Sequence, residues 1–412
     1  MIDARVIGAG ISGLATAWYL AERGARVEVI EAAGRAGGLI HTLRTAEGLV
    51  ETAAPAFTSN ERVLALFAST GVEACVPDPA RAKRYILRGG RPRRWPLSAV
   101  ETSATLVRFG RAWISRRHRP RREESLGEWG RRVLGGSALE WLIAPAAQIY
   151  ASSPDALSAA AVLDARRRGG TRMAPRRGMQ ELIDRLVEAL GERGVRFAFN
   201  ERVTALDPAV PSAICTDAPA AAALLRSHAP RVAEALQRIR MVSLVTATAF
   251  FLPSPNDLRA FGVLFPRGSK VAAFGVLFNS DMFPERSHLR SETWIYPSTL
   301  RQGQGEPYRG GTRLARPWLG PSDEDDLRRQ LEADRAVLTG RTERPVAVYI
   351  TARPNALPLY DAAVLGATAA VDDLPPTLAL AGNYLGSIGV SRLVDGGAAA
   401  AARLLRVQGV RS

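Results

Sequence analysis

Three glycines near the start of the chain have the spacing of a phosphate-binding turn. Gly8, Gly10 and Gly13 form G-x-G-x-x-G within VIGAGISGLATAWYLAERG, residues 6–24. In such a turn the first glycine permits the tight bend, and the second lets the backbone approach a pyrophosphate. The third lets the helix pack against its strand. The N–H groups and positive dipole end of that helix favour an anion. We therefore predict that a phosphorylated nucleotide binds here.

The elements around this turn predict a βαβ unit. An apolar strand at 4–7 precedes the glycines, and a helical pattern follows over residues 11–22. ARVEVIE at 25–31 alternates as a second strand and ends in Glu31. The Glu31 carboxylate is placed to accept hydrogen bonds from a ribose 2′-OH and would repel a 2′-phosphate. The unit therefore excludes NADP and leaves NAD and FAD.

Two further glycine-rich turns favour FAD. EAAGRAGGLIHT, residues 31–42, supplies Arg35 and a backbone nest at Gly37–Gly38 that can continue along an extended dinucleotide. LAGNYLGSIGV, residues 380–390, offers a third approach at the start of a helix, suited to the flavin end. Both termini have a strand, a glycine turn and a helix, so we expect them to meet in one nucleotide-binding domain.

Between the termini, the pattern predicts helices and a mixed sheet. Helices are expected over 98–165, 178–194 and 322–338. Strands are expected at VRFAFNERVTAL (195–206), LVTATAFFL (244–252) and KVAAFGVLF (270–278), which are rich in β-branched and aromatic residues.

Composition excludes several other classes. The chain has 412 residues, 47% hydrophobic and 23% charged, as in an ordered globular protein. Cys75 and Cys215 are far apart, and the four histidines are isolated, so we assign no disulfide framework and no metal. This cysteine usage fits a reducing cytoplasm.

A basic stretch carries most of the net charge of +15. Between Arg81 and Arg122 there are fourteen Lys/Arg and one acid. Within TLVRFGRAWISRR (105–117), the apolar residues Leu106, Val107, Trp113 and Ile114 share one helical face. This pattern fits either peripheral contact with an anionic membrane or a core-packing helix with a solvated basic face. Nucleic acid is not predicted as a partner, because no aromatic platform or recognition motif accompanies the charge.

The chain resembles a known family of flavoproteins. IEAAGRAGGLIHT and LAGNYLGSIGVSRLVDGGAAAAA are similar to the glutathione-reductase-type flavoproteins that include amine oxidases and carotenoid desaturases. Six collinear segments resemble protoporphyrinogen/coproporphyrinogen oxidases: RYILRGGRPRRWP (84–96), APAAQIYASSPDALSAAAV (144–162), APRRGMQELIDRL (174–186), FGVLFP (261–266), FGVLFNSDMFPER (274–286) and NALPLY (355–360).

The resemblance implies an α/β fold in which a glutathione-reductase-type, Rossmann-like FAD-binding domain carries an inserted mixed-sheet substrate domain and a helical subdomain. The ranges expected are 1–80, 172–235 and 345–412 for the FAD-binding domain, 81–96 and 236–344 for the substrate domain, and 97–171 for the helical subdomain, which would contact a membrane.

The resemblance also implies an activity. Protoporphyrinogen IX, a tetrapyrrole of haem biosynthesis, would lose six electrons as three hydrides to FAD, with oxygen as the final acceptor. Coproporphyrinogen III is the second candidate substrate, since its two extra propionates suit a basic chain. Two competing hypotheses are an amine oxidase or carotenoid desaturase on the same scaffold, and a non-catalytic flavin-binding protein. Trp294 with Tyr296 is a poor candidate for the aromatic cage of an amine oxidase.

Site residues carry over from the family by position. The substrate residues implied are Arg84, which would face a propionate, Phe261, Gly262 and Leu264 in the pocket wall, and Gly275 and Ile295 near them. The FAD residues implied are Gly8, Gly10, Ile11, Ser12, Gly13, Glu31, Arg35, Gly38, Val203, Gly382, Ile388, Gly389 and Val390. Without the resemblance, Arg84 is a solvated cation, Phe261 and Leu264 are sheet core, and Val203 is a buried strand valine. No catalytic acid or base is assigned, because hydride transfer to a flavin depends on placement.

Three residues depart from the family pattern. Ala53 and Ala54, in ETAAPAF, replace a glycine and a proline, and Arg353 replaces a tryptophan. Ala53 places a Cβ where the family backbone approaches the flavin. These changes make a diverged paralogue with another substrate a further hypothesis.

Overall fold

The structure is a computed structural model that describes residues 2–121, 123–165, 170–297, 321–386 and 388–407. Its strands are β1 (Ala4–Ile7), β2 (Val27–Glu31), β3 (Thr42–Arg44), β4 (Leu49–Glu51), β5 (Phe57–Thr58), β6 (Ala74–Cys75), β7 (Arg84–Arg88), β8 (Arg91–Arg93), β9 (Arg172–Pro175), β10 (Arg196–Phe199), β11 (Ser212–Ile214), β12 (Met241–Phe251), β13 (Gly262–Leu264), β14 (Gly275–Phe278), β15 (Arg290–Pro297), β16 (Ala347–Pro358) and β17 (Leu378–Leu380).

The helices alternate with these strands at the two ends of the chain and cluster in its middle. They are α1 (Ile11–Ala21), α2 (Glu61–Thr70), α3 (Ala99–Ile114), α4 (Leu126–Val133), α5 (Gly136–Ala138), α6 (Ala144–Ala147), α7 (Ala159–Ala165), α8 (Met179–Glu192), α9 (Ala218–Leu225), α10 (Pro230–Gln237), α11 (Asn279–Met282), α12 (Pro321–Thr339), α13 (Ala362–Ala370) and α14 (Val390–Val407). The α/β class is confirmed.

A parallel sheet joins the two ends of the chain. Its strand order is β10-β2-β1-β11-β17. One side of β1 packs through Val6 against α1, α8 and α14, and the other side packs through Ile7 against the core around α9 and α10. Burial on both sides explains the short apolar strands. The expectation that the termini meet is confirmed, because β1 and β17 are separated by β11 alone and α1 contacts α14.

A seven-stranded mixed sheet forms the second layer, in the order β16-β12-β15-β14-β13-β7-β8. One face packs against α12 and contains the fully buried side chains of Trp294 and Tyr296. Both rings are in the core, which agrees with the expectation that they are a poor candidate for the aromatic cage of an amine oxidase. β16 is the edge strand of this sheet and pairs with β12. The domain boundary expected at residue 345 would therefore separate β16 from the sheet to which it belongs.

Two strand predictions were too long. The strand expected over 195–206 ends at Phe199, because Asn200 has a left-handed backbone with φ of +60°. The strand expected over 270–278 begins only at Gly275. The N–H groups of Ala272 and Ala273 instead donate to the Asp334 carboxylate, at 3.0 Å each.

Candidate functional site

The first glycine turn has the shape that a dinucleotide requires. Gly8 has φ of +104°, and a Cβ there would lie 2.7 Å from the carbonyl oxygen of Cys215. A Cβ on Gly13 would lie 1.9 Å from the carbonyl oxygen of Gly8. At Gly10, in contrast, no described atom lies within 4 Å of the Cβ position. The protein itself needs glycine at positions 8 and 13, whereas Gly10 leaves open space that a pyrophosphate would fill.

Helix α1 directs its N-terminus at this space. Gly10 is its N-cap, and no side chain in the described part of the chain caps it. The first-turn N–H groups, those of Ile11 and Ser12 among them, lack partners within the helix. Such groups, together with the helix dipole, bind phosphate oxygens. The residues present therefore fit the pyrophosphate of a dinucleotide.

Glu31 fastens the turn to the end of β2. Its carboxylate accepts the N–H groups of Ala9 at 2.7 Å and Ala33 at 2.8 Å. Each carboxylate oxygen has further lone-pair capacity, so the group can also accept a ribose hydroxyl. The N–H of Glu201 donates to the Glu31 carbonyl at 3.0 Å, which brings the half-buried Val203 past the same strand end, in a loop rather than a strand.

The second glycine turn packs on the first. The N–H of Gly37 donates to the Ala9 carbonyl at 2.8 Å, and a Cβ on Gly38 would lie 3.4 Å from the Cα of Gly10. The Arg35 guanidinium donates to the carbonyls of Ile40 and Gly38 at 3.0 and 2.9 Å. Arg35 therefore holds the turn in shape, and the structure brings it together with Gly10, Gly38 and Glu31.

The carboxyl-terminal turn opens at the same edge of the parallel sheet. Gly382 follows β17, and Gly389 precedes α14, where its carbonyl accepts the N–H groups of residues 392 and 393. Gly389 is exposed, Val390 is buried, and Ile388 packs on the second core. Because parallel strands end at one edge, this turn and the Gly8–Gly13 turn share the crevice where such folds bind ligands.

Five of the six predicted substrate residues lie on one face of the mixed sheet, and the sixth, Phe261, directly precedes β13. Arg84 is in register with Gly262, Leu264 with Gly275, and Gly275 with Ile295. Residues in register point to the same face, and the residues between them form the buried core on the other side. Leu264 and Ile295 are half-buried, so they are not sheet core, whereas the two glycines of this face are buried. We call this surface, formed by these five residues, the open face.

Arg353 lies on the same side of the sheet, at its far end. It is in register with Leu244, and its Nε lies 3.5 Å from the carbonyl oxygen of Thr52. Burial, and then the Arg35 cation, lower the pKa of Arg353. Thr52 directly precedes Ala53, so two of the departures from the family pattern lie close together in the structure.

Arg172, which no sequence motif indicated, meets Arg84 at the ring of Phe261. The Cζ atom of Arg172 lies 4.2 Å from the centroid of the Phe261 ring, and that of Arg84 lies 4.9 Å from it. Burial, and then the Arg84 cation, lower the pKa of Arg172 to about 10. Phe261 is therefore a platform for two guanidinium groups. In a chain so rich in arginine, no local signal distinguished Arg172.

The two cysteine thiols have raised pKa values. Burial raises the pKa of Cys215 to about 12, and burial with a hydrogen bond to Glu285 raises that of Cys75 to about 11. Neither thiol is a nucleophile near neutral pH. Among the described residues, no cluster of His, Cys, Asp or Glu could hold a metal ion.

Helix α3 packs on the second core through Phe109 and Ala112, but the four apolar side chains predicted to share one face stay outside that core. In α3, all of whose residues are described, no side chain is buried. Ile114 is 85% exposed, Leu106 65% and Trp113 57%, and Val107 is exposed as well. Beside them is an open groove of about 1070 Å³ lined by apolar residues and by Arg108 and other arginines. In the described residues, no helix has the length and hydropathy to cross a bilayer.

Comparison with known proteins gives one consistent picture. The family model of the flavin containing amine oxidoreductases matches residues 11–298. Protoporphyrinogen oxidase 2 of Arabidopsis thaliana is 26% identical, over 96% of this chain and 92% of its own length. Coproporphyrinogen III oxidase of Propionibacterium freudenreichii is 32% identical over 38% of this chain and 33% of its own. A crystal structure from Exiguobacterium sp. 255-15, provisionally described as a protoporphyrinogen oxidase, has a TM-score of 0.78 at 19% identity and covers 99% of this chain and 100% of its own.

Proposed function

We propose, from the premise that this chain belongs to the flavin containing amine oxidoreductase family, that it oxidises protoporphyrinogen IX to protoporphyrin IX. The chain is a flavin-dependent oxidoreductase, and its cofactor is FAD. The observation that carries the proposal is the open face, which is apolar at Leu264 and Ile295, flat at two glycines and bounded by Arg84. An apolar macrocycle with carboxylates at its rim matches that surface.

The proposed reaction requires the protein to position the substrate. Bound FAD would accept hydrides, and the macrocycle would lose three hydrides and three protons while three molecules of oxygen become hydrogen peroxide. On β7, β13, β14 and β15, the side of the sheet that carries the open face has no acid and no histidine. The open face would therefore bind and orient the macrocycle and exclude water. Arg84 would hold a propionate through charge-assisted hydrogen bonds.

Coproporphyrinogen III remains the second candidate, because a relative that oxidises it matches part of this chain. Anaerobic mixing with each porphyrinogen separates the two. We expect the purified yellow protein to lose its flavin absorbance with protoporphyrinogen IX and to regain it when oxygen enters. Loss of absorbance with coproporphyrinogen alone would transfer the proposal to that substrate. A flavin that neither compound reduces would overturn the proposal, as would a protein that retains no flavin.

We also propose that α3 contacts an anionic membrane. Its exposed apolar side chains, Leu106, Val107, Trp113 and Ile114, stand beside arginines, a combination suited to an interface between lipid headgroups and acyl chains. Such a surface would give the enzyme access to a substrate that dissolves poorly in water.

Replacing Ile114 by serine should weaken binding to phosphatidylglycerol vesicles by about tenfold, since burial of an isoleucine contributes roughly 1.5–3 kcal/mol. Vesicle co-sedimentation measures the effect, and added salt should weaken binding further. Leu252→Ser is the matched control, because Leu252 is 69% exposed elsewhere on the molecule. Equal binding of the two variants, or no binding by the native chain, would refute membrane contact through α3.

A further inference from the structure

Arg172 occupies an unusual position among the partly and fully buried arginines. It begins β9, opposite Thr58 in β5, and its guanidinium stacks 4.2 Å from the Phe261 ring centroid. Arg84 reaches the same ring from β7. Phe261 and Leu277 pack against the core of the nucleotide-binding layer. The two guanidinium groups therefore stand where the open face meets that layer.

The three arginines that are fully buried in the described part of the chain are neutralised. Arg286 pairs with Glu51, Arg290 with Asp281 and Glu292, and Arg335 with Glu292. Arg172 differs, because among the described residues no carboxylate and no hydrogen-bond acceptor meets its guanidinium. Its neighbour is a second cation, which together with burial lowers its pKa to about 10. A half-buried cation beside another is unfavourable unless an anion joins them.

We propose that Arg172 and Arg84 form a clamp for two neighbouring carboxylates of the substrate, an inference that rests on the proposed function. Both guanidinium groups lie within 5 Å of one ring centroid, and two adjacent pyrrole rings of protoporphyrinogen carry their propionates side by side. Arg84 would take one propionate and Arg172 the other. The planar fork of arginine suits a carboxylate, and the Phe261 ring holds both forks in place.

The clamp has a clear consequence for ligand choice. A ligand with two free propionates gains both contacts, whereas one whose propionates are esterified gains neither. Arg172 is then a binding residue that discriminates by charge, and the apolar part of the open face contacts the macrocycle in either case. Losing Arg172 should raise KM much more than it lowers kcat.

Titration of the FAD-loaded protein with protoporphyrin IX and with its dimethyl ester, followed by porphyrin fluorescence in one detergent, tests the clamp. Arg172→Met should weaken binding of the free acid about 10- to 100-fold, the usual effect of losing a hydrogen bond between charged groups. It should leave the affinity for the ester and the FAD content unchanged, and it should not lower the thermal midpoint, because it removes one of two adjacent cations. Arg172→Lys should restore part of the affinity, because it keeps the charge without the fork. Arg91→Met, an exposed arginine on β8 of the same sheet, is the matched control.

The possible results distinguish failure of the clamp from failure of the proposed function. If the native chain binds acid and ester equally, or if Arg172→Met and Arg91→Met behave alike, the clamp is wrong and the proposed function stands. If the native chain binds neither porphyrin, the proposed function itself fails. If Arg172→Met lowers the thermal midpoint, Arg172→Lys decides the case. An Arg172→Lys variant that restores the midpoint and still binds the acid less well than the native chain would support the clamp. Any other result for Arg172→Lys would assign Arg172 a structural role.

Discussion

Replacing Gly13 by alanine should yield a chain that is strongly destabilised and retains almost no flavin. The new methyl group would lie 1.9 Å from the carbonyl oxygen and 3.0 Å from the carbonyl carbon of Gly8. Both atoms belong to the backbone of the turn, and Gly8 is itself held against Cys215. Overpacking of this kind lowers the free energy of unfolding by about 1–3 kcal/mol, and by more where the surrounding atoms cannot move. Urea unfolding and the ratio of flavin to protein absorbance measure the two losses.

Gly10→Ala is the matched control, and it should separate folding from cofactor binding. The Cβ at position 10 meets no described atom within 4 Å, and the backbone there, with φ of −69°, suits any residue. The apoprotein should therefore be as stable as the native apoprotein. FAD affinity should fall about 10- to 150-fold, because the methyl group would enter the pyrophosphate space at a cost of about 1.5–3 kcal/mol. Native FAD affinity in Gly10→Ala would show that no pyrophosphate lies against Gly10.

The first βαβ unit could be predicted because its information is local. Strand, glycine turn, helix and Glu31 follow one another within thirty-one residues, and each has its own sequence signal. The structure reproduces β1, α1 and β2 to within a residue or two of those predictions. The closing strand, turn and helix at the carboxyl terminus were predictable for the same reason.

The open face could not be predicted from local signals, because it depends on register. Arg84, Gly262, Gly275 and Ile295 come from four separate strands, and a slip of one residue in any strand would turn its side chains to the other face. Only the family resemblance grouped them. Arg172 was missed because its partner, Phe261, is almost ninety residues away and neither residue belongs to a motif.

The helical character of α3 was predictable, but its exposure was not. The apolar stripe of an amphipathic helix is the same whether it packs on a core or on a membrane. Phe109 and Ala112 make the contact with the core, and the stripe of Leu106, Val107, Trp113 and Ile114 stays outside. The sequence pattern alone therefore could not show whether this stripe would be buried in the protein.

Replacing Arg286 by methionine should destabilise the fold by about 3–5 kcal/mol, the usual cost of removing one partner of a buried ion pair. Arg286 follows α11 beside the mixed sheet, and its Nη1 lies 3.3 Å from Glu51 Oε1, with both side chains buried. It also donates to the Pro175 carbonyl and stacks on Phe283 at 4.1 Å. The Glu51 carboxylate accepts Thr42 Oγ1 and the N–H of Met179 at the start of α8. Arg286 therefore ties the second layer of the fold to the first.

The pH dependence of the stability of Arg286→Met should identify loss of the Arg286–Glu51 ion pair as the cause of the destabilisation. Burial raises the pKa of Glu51, and the Arg286 cation opposes that rise. In Arg286→Met the pKa of Glu51 should rise further, so the folded chain holds the proton more tightly than the unfolded chain does. The stability of the variant should then be greatest in acid and fall as the pH rises from the unfolded-state pKa to the raised folded-state pKa. Urea unfolding from about pH 5 to about pH 8 measures this slope.

Two further variants test the assignment. Arg286→Met with Glu51→Gln should recover part of the stability and lose the slope, because no buried carboxylate then remains to titrate. Arg238→Met removes an exposed pair with Glu234 on α10, where both side chains are at least 65% exposed, and should cost less than about 1 kcal/mol. If Arg286→Met cost no more than Arg238→Met, the Arg286–Glu51 pair would contribute nothing measurable to holding the two layers together. A slope that persisted after Glu51→Gln would place the titrating group elsewhere.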